Sequence, residues 1–80
     1  MTTLSGLTDA QIEEMLAENA KRIPQSIHIP SIEEHALGHD SQESKDFFAS
    51  CSHAAVNDRI LLIRLRHARD QAEEAASAAH

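Results

Sequence analysis

From Ser41 to His80 the sequence contains neither glycine nor proline, a stretch that makes up half of the 80-residue chain. Because these two residues are the strongest interruptions of regular local structure, this half of the chain is predicted to be helical. Apolar residues recur through it at near-heptad spacing, interrupted once at Asp58. We predict that this apolar seam is an oligomer contact, and it comprises Phe47, Cys51, Leu61, Leu65, Ala68 and Ala72.

Two arrangements of this half fit the pattern. One is a single helix about 55 Å long, at a rise of about 1.5 Å per residue. The other is a hairpin with helices at about 41–55 and 58–77, because Asn57 and Asp58 tolerate a turn. We favour the hairpin, since the apolar run at 60–63 needs burial on most sides and a hairpin supplies a partner within the chain.

A helix start is encoded near the beginning of the chain. Thr8 and Gln11 have the spacing of a capping box, and Leu7 and Ile12 have that of a hydrophobic staple. The apolar residues that follow recur at helical spacing on one face. These signals predict an amphipathic helix over 9–22.

Two prolines bracket the next segment. Between Pro24 and Pro30 the isoleucines alternate with polar residues, which is typical of an extended conformation. Flanking prolines argue against a central strand. We therefore predict an extended arm over 24–30 that packs against a helical core.

A short helix is predicted after the arm, over about 32–37. Ser31 and Glu34 form a second capping-box pattern, and Gly38 suits the C-terminal cap. The expected fold class is all-α: a capped amphipathic helix, an extended arm, a short helix, and a long helix or hairpin. We expect one small domain over 1–80, with fraying of the alanine-rich residues 76–80.

The composition predicts a thin core. The hydrophobic fraction is 41%, yet thirteen of these residues are alanines, and Phe47 and Phe48 are the only aromatic residues. Chains of this size bury little more than about 60% of their unfolded surface and are marginally stable alone. We therefore expect part of the stability to come from association, with a homo-oligomer formed along the apolar seam.

Cys51 is the single cysteine, so the chain cannot form an internal disulfide. No run of about 18 apolar residues is present, and the first residues lack the basic and apolar regions of a signal peptide. We expect a cytoplasmic protein with no membrane partner.

Histidine and cysteine raise the question of a metal site. His35 and His39 are four residues apart, and Cys51 and His53 follow. Zinc accepts such ligands, but the spacing is not that of a zinc module, and Gly38 interrupts the helix that would align the first pair. We predict no metal or other cofactor, and interpret these residues as exposed histidines and one buried cysteine.

No catalytic residue is predicted, so we expect that the protein is not an enzyme. Cys51 lies on the apolar seam, where cysteine behaves as a small hydrophobic residue. The sequence contains no glycine-rich phosphate loop and no serine nucleophile elbow.

Charge is distributed unevenly along the chain, with a net charge of -6. The acids include Glu13, Glu14 and Glu18 of the first helix, while a basic strip lies in the second half. The strip contains Arg59, Arg66 and Arg69, which either contact a partner or pair within the fold. For internal pairing the candidates are the first-helix acids, or Asp70 and Glu73 at helical spacing from Arg66 and Arg69.

These observations favour a non-enzymatic protein-binding module, such as an inhibitor, adaptor or small chaperone, that occupies a partner's surface. The candidate partner-binding residues are the three glutamates and three arginines just named, and the partner is a protein with a basic surface. Without aromatic stacking platforms, nucleic acid is not the expected partner. The alternative is a metal- or anion-binding regulatory module that uses the His/Cys set or the arginines.

Overall fold

The computed structural model describes residues 6–78, and these form four α-helices with no strand. The helices are α1 (Asp9–Ala20), α2 (Ile29–Ala36), α3 (Gln42–Ala49) and α4 (Ala54–Ala78). The predicted all-α fold class is confirmed, including a short helix and a long C-terminal one.

The capping box predicted for α1 is present. The backbone N–H of Thr8 donates to Oε1 of Gln11 (2.8 Å), and the N–H of Gln11 donates to Oγ1 of Thr8 (3.1 Å). The helix ends at Ala20, slightly before the predicted end. Lys21 and Arg22 instead make backbone bonds to carbonyls three residues earlier, which tightens the last turn.

The predicted extended arm over 24–30 is wrong in its extent and its conformation. The N–H of Ile27 donates to the carbonyl of Pro24 (3.0 Å), so the segment folds into a turn. Its last two residues, Ile29 and Pro30, belong to α2. Proline is accommodated there because the first helical N–H groups have no intrahelical acceptor.

The start of α2 therefore differs from the predicted one. Its N-cap is His28, whose side chain makes no capping bond to the backbone, and the predicted Ser31–Glu34 capping box does not begin the helix. Nδ1 of His28 instead lies 3.1 Å from Oγ of Ser31.

The end of α2 is as predicted. Gly38 has a φ of 77°, the left-handed conformation that glycine adopts without a steric penalty. The N–H of Gly38 donates to the carbonyl of His35 (3.1 Å), and the N–H of His39 donates to that of Glu34 (2.9 Å). This pair of bonds is a Schellman motif, and it turns the chain toward α3.

The second half contains two helices rather than one, but the break lies at 50–53. The predicted bend at Asn57 and Asp58 is wrong, since both residues lie inside α4. The hydroxyl of Ser50 donates to two carbonyls in the last turn of α3 (3.1 and 3.3 Å). The ring of His53 accepts an N–H in the first turn of α4 (3.3 Å). Side-chain capping on both sides thus fixes the break.

The long helix α4 packs against both α1 and α2. It runs antiparallel to α1, since Asn19 bonds to the carbonyl of Ala55 while Arg69 pairs with Asp9 at the other end. The buried core between the helices comprises Ile12, Leu16, Ile23, Ile32, Ala36, Phe48, Ala55, Val56, Ile60, Leu62 and Ile63.

The C-terminal part of α4 extends past this core. Residues 70–77 are all exposed and α4 continues to Ala78, and the fraying predicted for 76–80 stays a prediction. Residues 79 and 80 of that prediction lie outside the described residues. Among residues 6–78, none of the helices combines the length and apolar character needed to cross a membrane.

The break at 50–53 also divides the predicted apolar seam into parts with different environments. Cys51 and Leu65 are partly buried against the core, whereas Phe47 and Leu61 are each 52% exposed. Ala68 and Ala72 are exposed on the part of α4 that extends past the core. The seam is therefore not one continuous stripe, and its role in self-association stays a prediction.

Candidate protein-binding groove

A groove of about 500 Å³ lies between α1 and α4. The antiparallel packing of the two helices creates it, because their side chains meet in the core and diverge toward solvent. It is lined by Glu14, Met15, Glu18, Asn19, Arg22, Asp58, Leu61 and Leu62.

The floor of the groove is apolar. Leu62 is buried, but Met15 and Leu61 remain 40% and 52% exposed. Three large hydrophobic residues are exposed in the described part of the chain, and two of them lie in this groove. The third, Phe47, lies beside a smaller cavity of about 230 Å³ near α2 and α3.

The rim of the groove is acidic. Three carboxylate side chains, Glu14, Glu18 and Asp58, line it together with a single cation, Arg22. Glu18 pairs with Lys21 (3.3 Å), but both side chains are largely exposed, so the pair contributes little. Within residues 6–78, Glu14 and Asp58 make no ion pair. The groove thus combines exposed apolar surface with excess negative charge.

The predicted basic strip is directed into the fold. Arg66 pairs with Glu13 (3.2 Å) and with Glu33 (2.9 Å). Arg69 pairs with Asp9 (3.4 Å) and donates to the carbonyl of Leu7. Internal pairing, one of the two predicted roles, is therefore what the geometry shows for these two arginines.

The partners of these arginines come from the first half of the chain, not from the helical neighbours Asp70 and Glu73. Arg59 follows the same pattern, since it donates to the carbonyl of Leu16 (3.1 Å) and to Oδ1 of Asn19 (3.3 Å). Of the three glutamates predicted to contact a partner, Glu13 is engaged with Arg66, and Glu14 and Glu18 line the groove.

Asn19 is a structural residue that was not predicted from the sequence. It is 6% exposed, and its Nδ2 donates to the carbonyl of Ala55 (2.8 Å) while its Oδ1 accepts from Arg59. The signal was its spacing, because Asn19 follows Ile12 and Leu16 on the apolar face of α1. A polar residue at such a position is buried only when another element satisfies its hydrogen bonds.

The four weak metal-ligand candidates occupy separate environments. His35 lies 2.8 Å from Asp40 and stacks on Phe48, with 4.7 Å between ring centroids. His39 is exposed, Cys51 is a half-buried thiol, and His53 caps α4. Across residues 6–78, no group of three or more His, Cys, Asp or Glu side chains is arranged to hold a metal ion.

Comparison of the chain with protein-family models, curated proteins and solved structures finds no match. The function is therefore inferred from the groove between α1 and α4 and the charges that line it.

Proposed function

We propose that this chain is a non-enzymatic protein-binding module, an inhibitor, adaptor or small chaperone, that occupies a partner's surface through the groove between α1 and α4. The observation that carries the proposal is the exposure of Met15 and Leu61 between acidic side chains. Exposed apolar patches rimmed by polar groups mark interaction sites in small proteins.

The charge of the groove supports a partner with a basic surface. Glu14, Glu18 and Asp58 provide the negative charge, and the internal pairing of Arg66 and Arg69 keeps the basic strip from neutralising it. Complementary charge accelerates association and selects among partners, while the apolar floor supplies the favourable burial.

We also propose that the module is a homo-oligomer in the cytoplasm. Two residues of the apolar seam, Ala68 and Ala72, lie exposed on the end of α4 that extends past the buried core. An isolated helix end of this kind is marginal in water and gains stability when a second copy covers it. A lone cysteine with no partner in the chain suits a reducing compartment.

Position-specific photo-crosslinking in a lysate of the native cells tests the binding function. A photoreactive amino acid replaces Leu61 in one variant and Phe47 in the other, since both side chains are 52% exposed and only Leu61 lies in the groove. We expect a discrete protein adduct from position 61 that is absent from position 47. The adduct should decrease at high salt because screening weakens charge steering.

The double variant Glu14→Lys/Glu18→Lys should abolish the adduct at position 61. Its matched control is Glu34→Lys/Glu43→Lys, which makes the same change in net charge at two exposed residues outside the groove. Identical adducts from positions 61 and 47, or no adduct from position 61, would contradict the proposed function.

A further inference from the structure

We infer that the occupant of the groove is an amphipathic α-helix of the partner, with a stripe of large apolar side chains flanked by lysine or arginine. This inference rests on the proposed function and specifies the partner's chemistry. The walls of the groove, its length and its charges each favour a basic amphipathic helix as the occupant.

The walls of the groove favour a helix over an extended peptide. Both walls are helices, whose backbone groups are already hydrogen-bonded within α1 and α4. The described residues contain no strand, so they offer no sheet edge for a peptide to extend. An extended peptide would bury unpaired backbone N–H and C=O groups against Met15 and Leu61, whereas a helix satisfies its own.

The dimensions match a short helical contact. On the α1 side the lining residues run from Glu14 to Arg22, which lies in the turn just after α1, and this span is about 12 Å at a rise of about 1.5 Å per residue. That length accommodates about two turns of a third helix, with anchors at i, i+3 or i+4 and i+7. The anchors would contact Met15, Leu61 and Leu62 as ridges that fit between the two wall helices.

The carboxylates that line the groove favour a helix with basic residues on both sides of its apolar stripe. Glu14 and Glu18 line the α1 side and Asp58 the α4 side, so cations on either flank of an apolar stripe meet a carboxylate. A second copy of this chain is a poorer occupant, because the chain carries a net charge of -6 and Glu73 and Glu74 lie on the exposed end of α4. Like charges would then face each other across the groove.

Binding of three synthetic peptides of about 18 residues, a length sufficient for a helix in complex, tests the inference. The first places leucines at helical spacing with lysines beside them, the second is a scramble of the same composition, and the third has glutamate for every lysine. Fluorescence anisotropy measures the affinities, and circular dichroism measures helix formation. We expect the first peptide to bind about tenfold or more tightly than the other two and to become helical.

Two single variants locate the site. Leu61→Ser should weaken binding of the first peptide about tenfold, while Phe47→Ser, at a residue of equal exposure, should leave it unchanged. Equal binding of the scramble would overturn the inference, because composition without a helical apolar stripe would then account for the affinity. No peptide binding, together with a lower mass of the unbound protein on Leu61→Ser, would also overturn it and identify a second copy as the occupant.

Failure of this inference is distinguishable from failure of the proposed function. A salt-sensitive adduct from position 61 without helical-peptide binding leaves the binding function standing and removes the helix. If neither the adduct from position 61 nor binding of the helical peptide is observed, both the binding function and the helical partner are excluded.

Discussion

At the scale of single residues, a largely buried polar contact joins α2 to the loop that precedes α3. Nδ1 of His35 lies 2.8 Å from Oδ2 of Asp40, whose side chain is 2% exposed. The other carboxyl oxygen, Oδ1, is buried with no hydrogen-bond partner among the described residues. The ring of His35 also stacks on the core residue Phe48. One imidazole therefore both contacts one oxygen of a buried carboxyl group and extends the core.

Removing the side chain of His35 should lower the free energy of unfolding more than removing that of Asp40. In His35→Ala the carboxyl group of Asp40 stays buried with no partner, and we expect a loss of about 2–3 kcal/mol in the free energy of unfolding. Asp40→Ala should cost less, because His35 is 18% exposed and can bond to water. Urea denaturation measures both, and His39→Ala, at an exposed neighbour, should change stability by less than about 0.5 kcal/mol.

The double variant His35→Ala/Asp40→Ala should be more stable than the sum of the two single losses implies, since it leaves no unpaired buried carboxyl group. Additive losses would show that the two side chains act independently.

At the scale of elements, two local capping signals were predictable from the sequence, whereas the start of α2 and the break before α4 were not. The Thr8–Gln11 box and the Gly38 cap involve residues close in sequence, so their spacing alone predicted them. The break between α3 and α4 was placed at Asn57 and Asp58 because these residues favour turns, yet both are exposed on α4. The burial of Val56 and Ile60 on α4 outweighs the weak helix propensity of Asn57 and Asp58.

Gly38 should be the most sensitive element boundary. Its φ of 77° is strained for residues with a Cβ atom, and a Cβ atom added at this position would meet no neighbour within 4 Å. Gly38→Ala should therefore cost about 1–2 kcal/mol through the backbone alone, and Gly38→Asn should cost less because asparagine tolerates this conformation. Thermal unfolding followed by circular dichroism measures both, and equal losses would contradict a conformational origin.

At the scale of the whole molecule, the sequence predicted the acids of the groove but not the groove itself. Glu14 and Glu18 were candidate contacts from charge alone, whereas Asp58 and Leu61 join them only because α4 runs antiparallel to α1. The same packing brings Arg66 and Arg69 to acids far away in sequence, which helical spacing could not indicate. Long-range pairing thus engages Arg66 and Arg69 within the fold, while the groove between α1 and α4 combines an acidic rim with exposed hydrophobic side chains.

The exposed C-terminal end of α4 leads us to expect self-association. Residues 70–77 of α4 contribute no buried side chain, so a solitary chain would maintain an exposed helix end with little tertiary support. We expect light scattering at micromolar concentration to give a mass above 8.8 kDa, and the melting temperature to rise with concentration. Ala68→Glu/Ala72→Glu should return the mass toward 8.8 kDa, while Ala17→Glu, at an exposed alanine of α1, should not. A monomer with a concentration-independent transition would exclude the homo-oligomer, and the groove would then be the contact through which the protein gains a partner.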